Sequence, residues 1–139
     1  MLGTVAVSGR HLPVARSAVV AAVQAVLAGE RRRATISISF VGPQAIRQLN
    51  LAWLGQDRST DVIAFELPQP GPNALGDVYI CQAVARRQAA LLRVPLKAEL
   101  LRLVIHGTLH VLGYQHPEGA GRTQSPMWRK QERYLSCVV

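Results

Sequence analysis

Ile36, Ile38 and Phe40 alternate with Thr35, Ser37 and Ser39, so one face of this stretch is apolar and the other polar. A period of two predicts a half-buried strand over residues 35–42. Three further stretches read as strands: TVAVS at 4–8, TDVIAFEL at 60–67 and LGDVYICQ at 75–82. PQPGPNA separates the last two, and its prolines and glycine mark a loop across which antiparallel pairing is expected.

Elsewhere the apolar positions recur every third or fourth residue. Val14, Ala18, Val19, Ala22, Val23, Val26 and Leu27 predict a helix that Pro13 opens and Gly29 ends. The charged ERRR of residues 30–33 follows as a turn. A second helix begins at Pro43 and runs to Trp53, with a polar loop over 54–59. A third covers 83–93 and stops before Pro95. The longest runs from Leu96 to Leu112 and ends at Gly113. SPMWRKQERYL (125–135) gives the fifth, with Ser125 as N-cap and Pro126 at the first helical position. No repeat or linker divides these elements. They predict one α+β domain over residues 1–139, a small mixed four-stranded sheet covered by about five helices.

Composition narrows the partners. Sixteen Lys and Arg against eight Asp and Glu give a formal net charge of +8. Such an excess suits a polyanion, nucleic acid above all, because neutralised phosphates release counterions. A basic surface without a specific partner fits the same numbers. Fourteen of the sixteen cations are arginine, which favours bidentate phosphate contacts but also follows from base composition of the coding DNA. Cys81 and Cys137 form no C-x-x-C pair, as expected of a reducing compartment rather than a disulfide scaffold. No apolar run approaches the roughly 20 residues of a membrane span. Arg10, His11 and Arg16 interrupt the N-terminal apolar residues, against a signal peptide. A soluble cytoplasmic protein is expected.

Three of the four histidines lie in one stretch, HGTLHVLGYQH, at His106, His110 and His116. Residues four apart on a helix lie one turn apart on one face, so His106 and His110 can reach the same ion. Gly113 suits the helix end, and the chain then doubles back to bring in His116. Three imidazoles leave a fourth tetrahedral position open, as in catalytic zinc sites. The frame is that of the metzincin proteases, H-E-x-x-H-x-x-G-x-x-H, with one change. Their glutamate moves a proton between water and the leaving amine, and here Gly107 replaces it. Peptide cleavage needs that protonation badly. Phosphodiester cleavage asks for less, chiefly a metal and cations to stabilise the charge on phosphorus. Gly107 therefore argues against a peptidase. Its missing side chain either opens space for a bulky substrate or permits close helix packing. His11 stands outside this frame and is left out of the site.

HGTLHVLGYQH resembles the H-G-x-L-H-L-x-G-Y-D-H signature of the YbeY family, zinc-dependent endoribonucleases of ribosomal RNA maturation. STDVIAFELP is similar to that family's P-T-D-V-L-S-F-P segment, and LGDVYIC to its L-G-D-I-x-I strand. LKAELLRLVIHG resembles its glutamate-containing helix, with Glu99 in place, and Met127 falls where the family has a methionine. The likeness covers Ile36 to Leu135 in unbroken order. It implies one α+β domain carrying a zincin-like histidine helix, and one Zn2+ held by His106, His110 and His116. It also implies hydrolysis of single-stranded RNA at the 3′ end of small-subunit ribosomal RNA, ribosome quality control, and ribosomes or ribosomal proteins as partners.

Two positions depart from the family pattern. Gln115 stands where the signature has aspartate, and Leu54 where the family often has an arginine linked to RNA cleavage. Arg58, four residues on, is the candidate replacement cation, with a solvated loop arginine as its alternative. The departures motivate a second reading, a ribosome-assembly binding module with a structural zinc and little catalysis. Asp61, Asp77 and Glu99 are expected to be structural. Trp53 and Trp128 have the chemistry to stack on bases, but core burial is expected of each.

Overall fold

Four strands form a mixed sheet in the order β1-β2-β4-β3: β1 (Gly3–Ser8), β2 (Ala34–Val41), β3 (Val62–Glu66) and β4 (Ala74–Cys81). This architecture comes from a computed structural model, which describes residues 3–116 and 119–139. The domain span expected from sequence, 1–139, thus includes residues 1–2 and 117–118, which lie outside the described residues. β1, β2 and β4 run parallel. β3 pairs antiparallel with β4, Val62 opposite Ile80 and Glu66 opposite Gly76, as the loop chemistry between them predicts.

The alternation in β2 decides which face is covered. Ile36, Ile38 and Phe40 are buried with Val78 and Ile80 of β4 under α1 (Arg16–Glu30) and α4 (Leu96–Val111). Residues of the opposite pleat near the strand ends, Ile63 and Cys81, pack with Ile46 of α2 (Pro43–Leu54) in a smaller cluster. α3 (Gln82–Leu92) packs on α4, and α5 (Pro126–Val138) on both α1 and α4. Leu100, Leu101, Val104, Ile105 and Leu109 of α4 are fully buried. Each such side chain contributes about 1.5–3 kcal/mol relative to exposure. An apolar helix enclosed on nearly all sides is a rigid base for a site. Among the described residues, no helix is long and apolar enough to cross a membrane.

Two glycines set how closely α4 approaches the sheet. A Cβ on Gly107 would lie 2.4 Å from Val78 Cγ1, and one on Gly76 would lie 2.5 Å from Val111 Cγ2. The helix therefore descends β4 in the antiparallel sense, in direct backbone-to-side-chain contact.

Helix boundaries depart from the sequence expectation at α1. It starts at Arg16 rather than Pro13 and continues through Gly29 to Glu30, and Arg31 takes the left-handed cap at φ 54°. Gly29 is needed elsewhere: a Cβ there would meet the Tyr134 ring at 2.4 Å. It lets α5 cross α1 instead of ending the helix. The Ser125 cap of α5 is as expected, its Oγ accepting from the Trp128 N–H at 3.1 Å. A 3-10 turn at Gly119–Gln124, which the pattern did not announce, precedes it.

Candidate metal centre

His106 and His110 project from the last two turns of α4, and His116 follows the turn at Gly113. Gly113 has φ 102°, a conformation other residues adopt only with strain, and this reverses the chain after the helix. One nitrogen from each of the three rings lies within 4.8 Å of the others. His106 Nε2 and His110 Nε2 are 3.1 Å apart. Two nitrogens bound to one tetrahedral zinc at about 2.0–2.1 Å would be about 3.3 Å apart, so the spacing fits an ion without rearrangement.

The protonation states fit as well. Gln131, fully buried on α5, donates its Nε2–H to Glu132 Oε2 at 3.0 Å, so its carbonyl oxygen faces His106. His106 Nδ1–H donates to that oxygen at 2.7 Å, which leaves Nε2 with its lone pair turned toward the other rings. Burial pushes the His106 imidazole down to about 4. The bond to Gln131 opposes this, and charge repulsion from His110, His116 and Arg122 reinforces it. His110 is lowered by burial first and then by His116. Both rings therefore hold a proton less readily than an ordinary histidine, which favours a cation at their nitrogens.

A buried carboxylate holds the loop between the second and third histidines. Glu30, at the end of α1, accepts from the hydroxyls of Tyr114 and Tyr134 and from Lys130 Nζ at 3.1 Å. Burial raises its pKa, but these three donors outweigh that and hold it below the ordinary glutamate value. Arg32 NH1 donates to the Leu112 carbonyl at 3.3 Å, clamping the helix end itself. The ERRR segment was expected to be a charged turn. It is instead the brace of the ligand loop, because Tyr114 lies two residues before His116.

A family model described as Endoribonuclease YbeY matches residues 8–138. The chain belongs to the YbeY family. It is 38% identical over 93 residues to the Endoribonuclease YbeY of Persephonella marina, covering 64% of this chain and 61% of that protein. The Moorella thermoacetica Endoribonuclease YbeY is 37% identical over 123 residues, covering 81% and 76%. The chain thus spans less than two thirds of the Persephonella protein's length. The solution structure of a Thermotoga maritima protein superposes with a TM-score of 0.68 at 27% identity, covering 97% of this chain and 89% of that one.

Within this YbeY fold a cavity of about 180 Å³ opens beside His106, lined by Asp61, Glu99, Arg102, Arg122, Trp128 and Gln131 among others. Asp61 has two roles. Its Oδ1 accepts from the Val62 N–H at 2.8 Å, and the residue also faces the cavity. Glu99 is buried and pairs with Arg102 at 3.3 Å, and Arg102 reaches on to Glu132 of α5 at 2.9 Å. That chain is the structural role expected of Glu99. Asp77 accepts from Ser37 Oγ at 2.7 Å on the sheet face away from α4, likewise structural.

The structure also places the other residues considered from the sequence. Gly107 does not open space beside the ion position; its open side faces Val78, so it serves helix packing. Trp53 is 69% exposed, at the exposed end of α2 with its ring edge-on to Phe65, and Trp128 is only partly buried. Arg58 does not line the cavity. It is exposed in the loop before Asp61, where its guanidinium donates to Gln56 Oε1 at 2.9 Å. Gln131, Glu30 and Arg122 were not singled out. Only Gln131 left a trace in the sequence, as a polar residue on the apolar stripe of α5 four positions after Met127.

Replacing Gln131 by leucine keeps the volume and removes the acceptor that fixes the His106 tautomer. Zinc affinity of the variant, measured by competition with a chromophoric chelator, is expected to fall about 10–100-fold. Unchanged affinity would show that His106 needs no partner on α5.

Proposed function

We propose that this protein is a zinc-dependent endoribonuclease, specific for single strands, that acts in maturation of the small-subunit ribosomal RNA 3′ end and in ribosome quality control. The reading treats residues 1–139 as one metallohydrolase domain working in the cytoplasm, with ribosomal RNA as substrate and the ribosome or ribosomal proteins as partners. The observation that carries it is the convergence of His106, His110 and His116, with two Nε2 atoms 3.1 Å apart and one tautomer fixed by Gln131. The matching relatives are named Endoribonuclease YbeY, which supports the reaction class.

His106, His110 and His116 would hold one zinc ion. When bound, zinc supplies Lewis acidity toward water and the scissile phosphate. The chain contributes the rest. Gln131 orients His106, and the apolar body of α4 keeps water away from the ligands' inner side. Arg58, exposed on the loop leading to Asp61, is the catalytic cation this reading assigns to the RNA backbone.

Leu54 and Gln115, the two departures from the family pattern, favour the second reading, a ribosome-assembly module with a structural zinc. Incubating zinc-loaded protein with a single-stranded ribosomal RNA fragment and with its duplex form decides between them. Cleavage of the single strand alone, abolished by a chelator and restored by zinc, is expected. Ribosome association without cleavage would replace the enzyme with the binding module.

A further inference from the structure

The cavity beside His106 contains two arginines in opposite situations. Arg102 is spent: its guanidinium donates to both Glu99 and Glu132. Among the described residues, Arg122 forms no ion pair with a carboxylate and its buried Nε–H has no acceptor. Buried donors are seldom left unsatisfied, and this one belongs to a residue that lines the cavity.

Arg122 is also held in place. Its carbonyl accepts from Ser125 Oγ at 2.9 Å, and Ser125 in turn caps α5 through the Trp128 N–H. The guanidinium lies over the Trp128 ring, 5.8 Å from its centroid. One cap therefore fixes both the backbone of Arg122 and the aromatic surface under its side chain. Its charge is felt at both helical histidines, where it helps to keep the rings neutral. Thr123, the next residue, adds a hydroxyl to the same cavity lining. Neither acidic member of the lining forms an ion pair with Arg122: Glu99 is paired with Arg102, and Asp61 accepts from Val62 N–H, Thr60 and Gln88.

We propose that Arg122 binds the non-bridging oxygens of the RNA phosphate presented to the three-histidine centre, and so is a catalytic residue for cleavage. The inference rests on the endoribonuclease reading and supplies the cation that Leu54 does not. In hydrolysis, water forms a new bond to phosphorus and one ester P–O bond breaks. The departing oxygen takes a proton from the water. Negative charge gathers on the non-bridging oxygens as this happens, and a fixed guanidinium stabilises it more than it stabilises the ground state.

The test compares wild type with Arg122→Ala, Arg122→Gln and Arg122→Lys. Three quantities are measured: zinc affinity, binding of a single-stranded RNA oligonucleotide to the metal-free proteins across salt concentrations, and cleavage with zinc. Arg122→Ala and Arg122→Gln are expected to keep zinc affinity while kcat falls about 100-fold or more. The slope of log affinity against log salt should shrink by about 0.7, one phosphate contact on a single strand. Arg122→Lys should recover part of both, since it keeps the charge and loses the fork. Cleavage by Arg122→Gln within about twofold of wild type overturns the inference and leaves the endoribonuclease reading standing. So does an equal fall in the Lys and Gln variants, which would mean that charge is not what matters. If wild type with zinc cleaves no RNA, the reading falls and the inference with it.

Discussion

His110→Ala is expected to remove zinc binding and RNA cleavage together while leaving the fold intact. His110 is half-exposed at the end of α4, so its loss opens no large cavity in the core. What goes is one of three nitrogens, and with it the 3.1 Å pair that matches a tetrahedral ion. Zinc affinity should drop by more than the roughly 10–100-fold typical of losing an outer hydrogen-bond partner. A metal ion contributes several kcal/mol to charge stabilisation in such reactions, so cleavage should fall on the order of 1,000-fold. Metal analysis, circular dichroism and a cleavage assay on one preparation check all three statements. Undiminished cleavage by this variant would assign the activity to another site or to a contaminant.

The second large effect concerns stability. Gly107→Glu restores the residue that the metzincin proteases carry at this place in their frame, yet no peptidase is expected to emerge. The new Cβ would lie 2.4 Å from Val78 Cγ1, so the helix must lift from the sheet before any carboxylate can be placed. Overpacking of this kind costs about 1–3 kcal/mol. A carboxyl driven into the interface without a partner adds several more in the interior. A domain is typically stable by only about 5–15 kcal/mol, so the variant should be largely unfolded or melt far below wild type. Urea denaturation measures the loss, and a wild-type midpoint would refute the close contact between α4 and β4. Gly107→Ala should show a smaller loss of the same sign.

The elements that a short period can encode were readable in the chain. β2 alternates strictly because one of its faces is core and the other is not, and Ser125-Pro126 marks the start of α5 through cap chemistry alone. The histidine frame was equally readable, since the i, i+4 spacing and a left-handed glycine are local facts. Partners far apart in the sequence were not. Glu30 and Tyr114 are separated by 84 positions, and nothing around Glu30 distinguishes a buried acceptor from a solvated charge. Gly29 shows the same limit. A glycine near a helix end suggests a cap, and only the crossing of α5 reveals that the space is for Tyr134. Trp53 failed in the other direction: its size predicts burial, but α2 covers only a corner of the sheet and leaves it outside. Arg122 carried no pattern of its own, and its meaning depends on which carboxylates it does not meet.

The seat of Gln131 on α5 bears on when the three-histidine centre is complete. Translation delivers the histidines before the residue that orients the first of them, so a nascent chain holds its imidazoles without a settled tautomer. The tautomer of His106 is settled only once α5 has folded back against α4. A metal ion offered before that point meets a ligand set with one ring still free to turn.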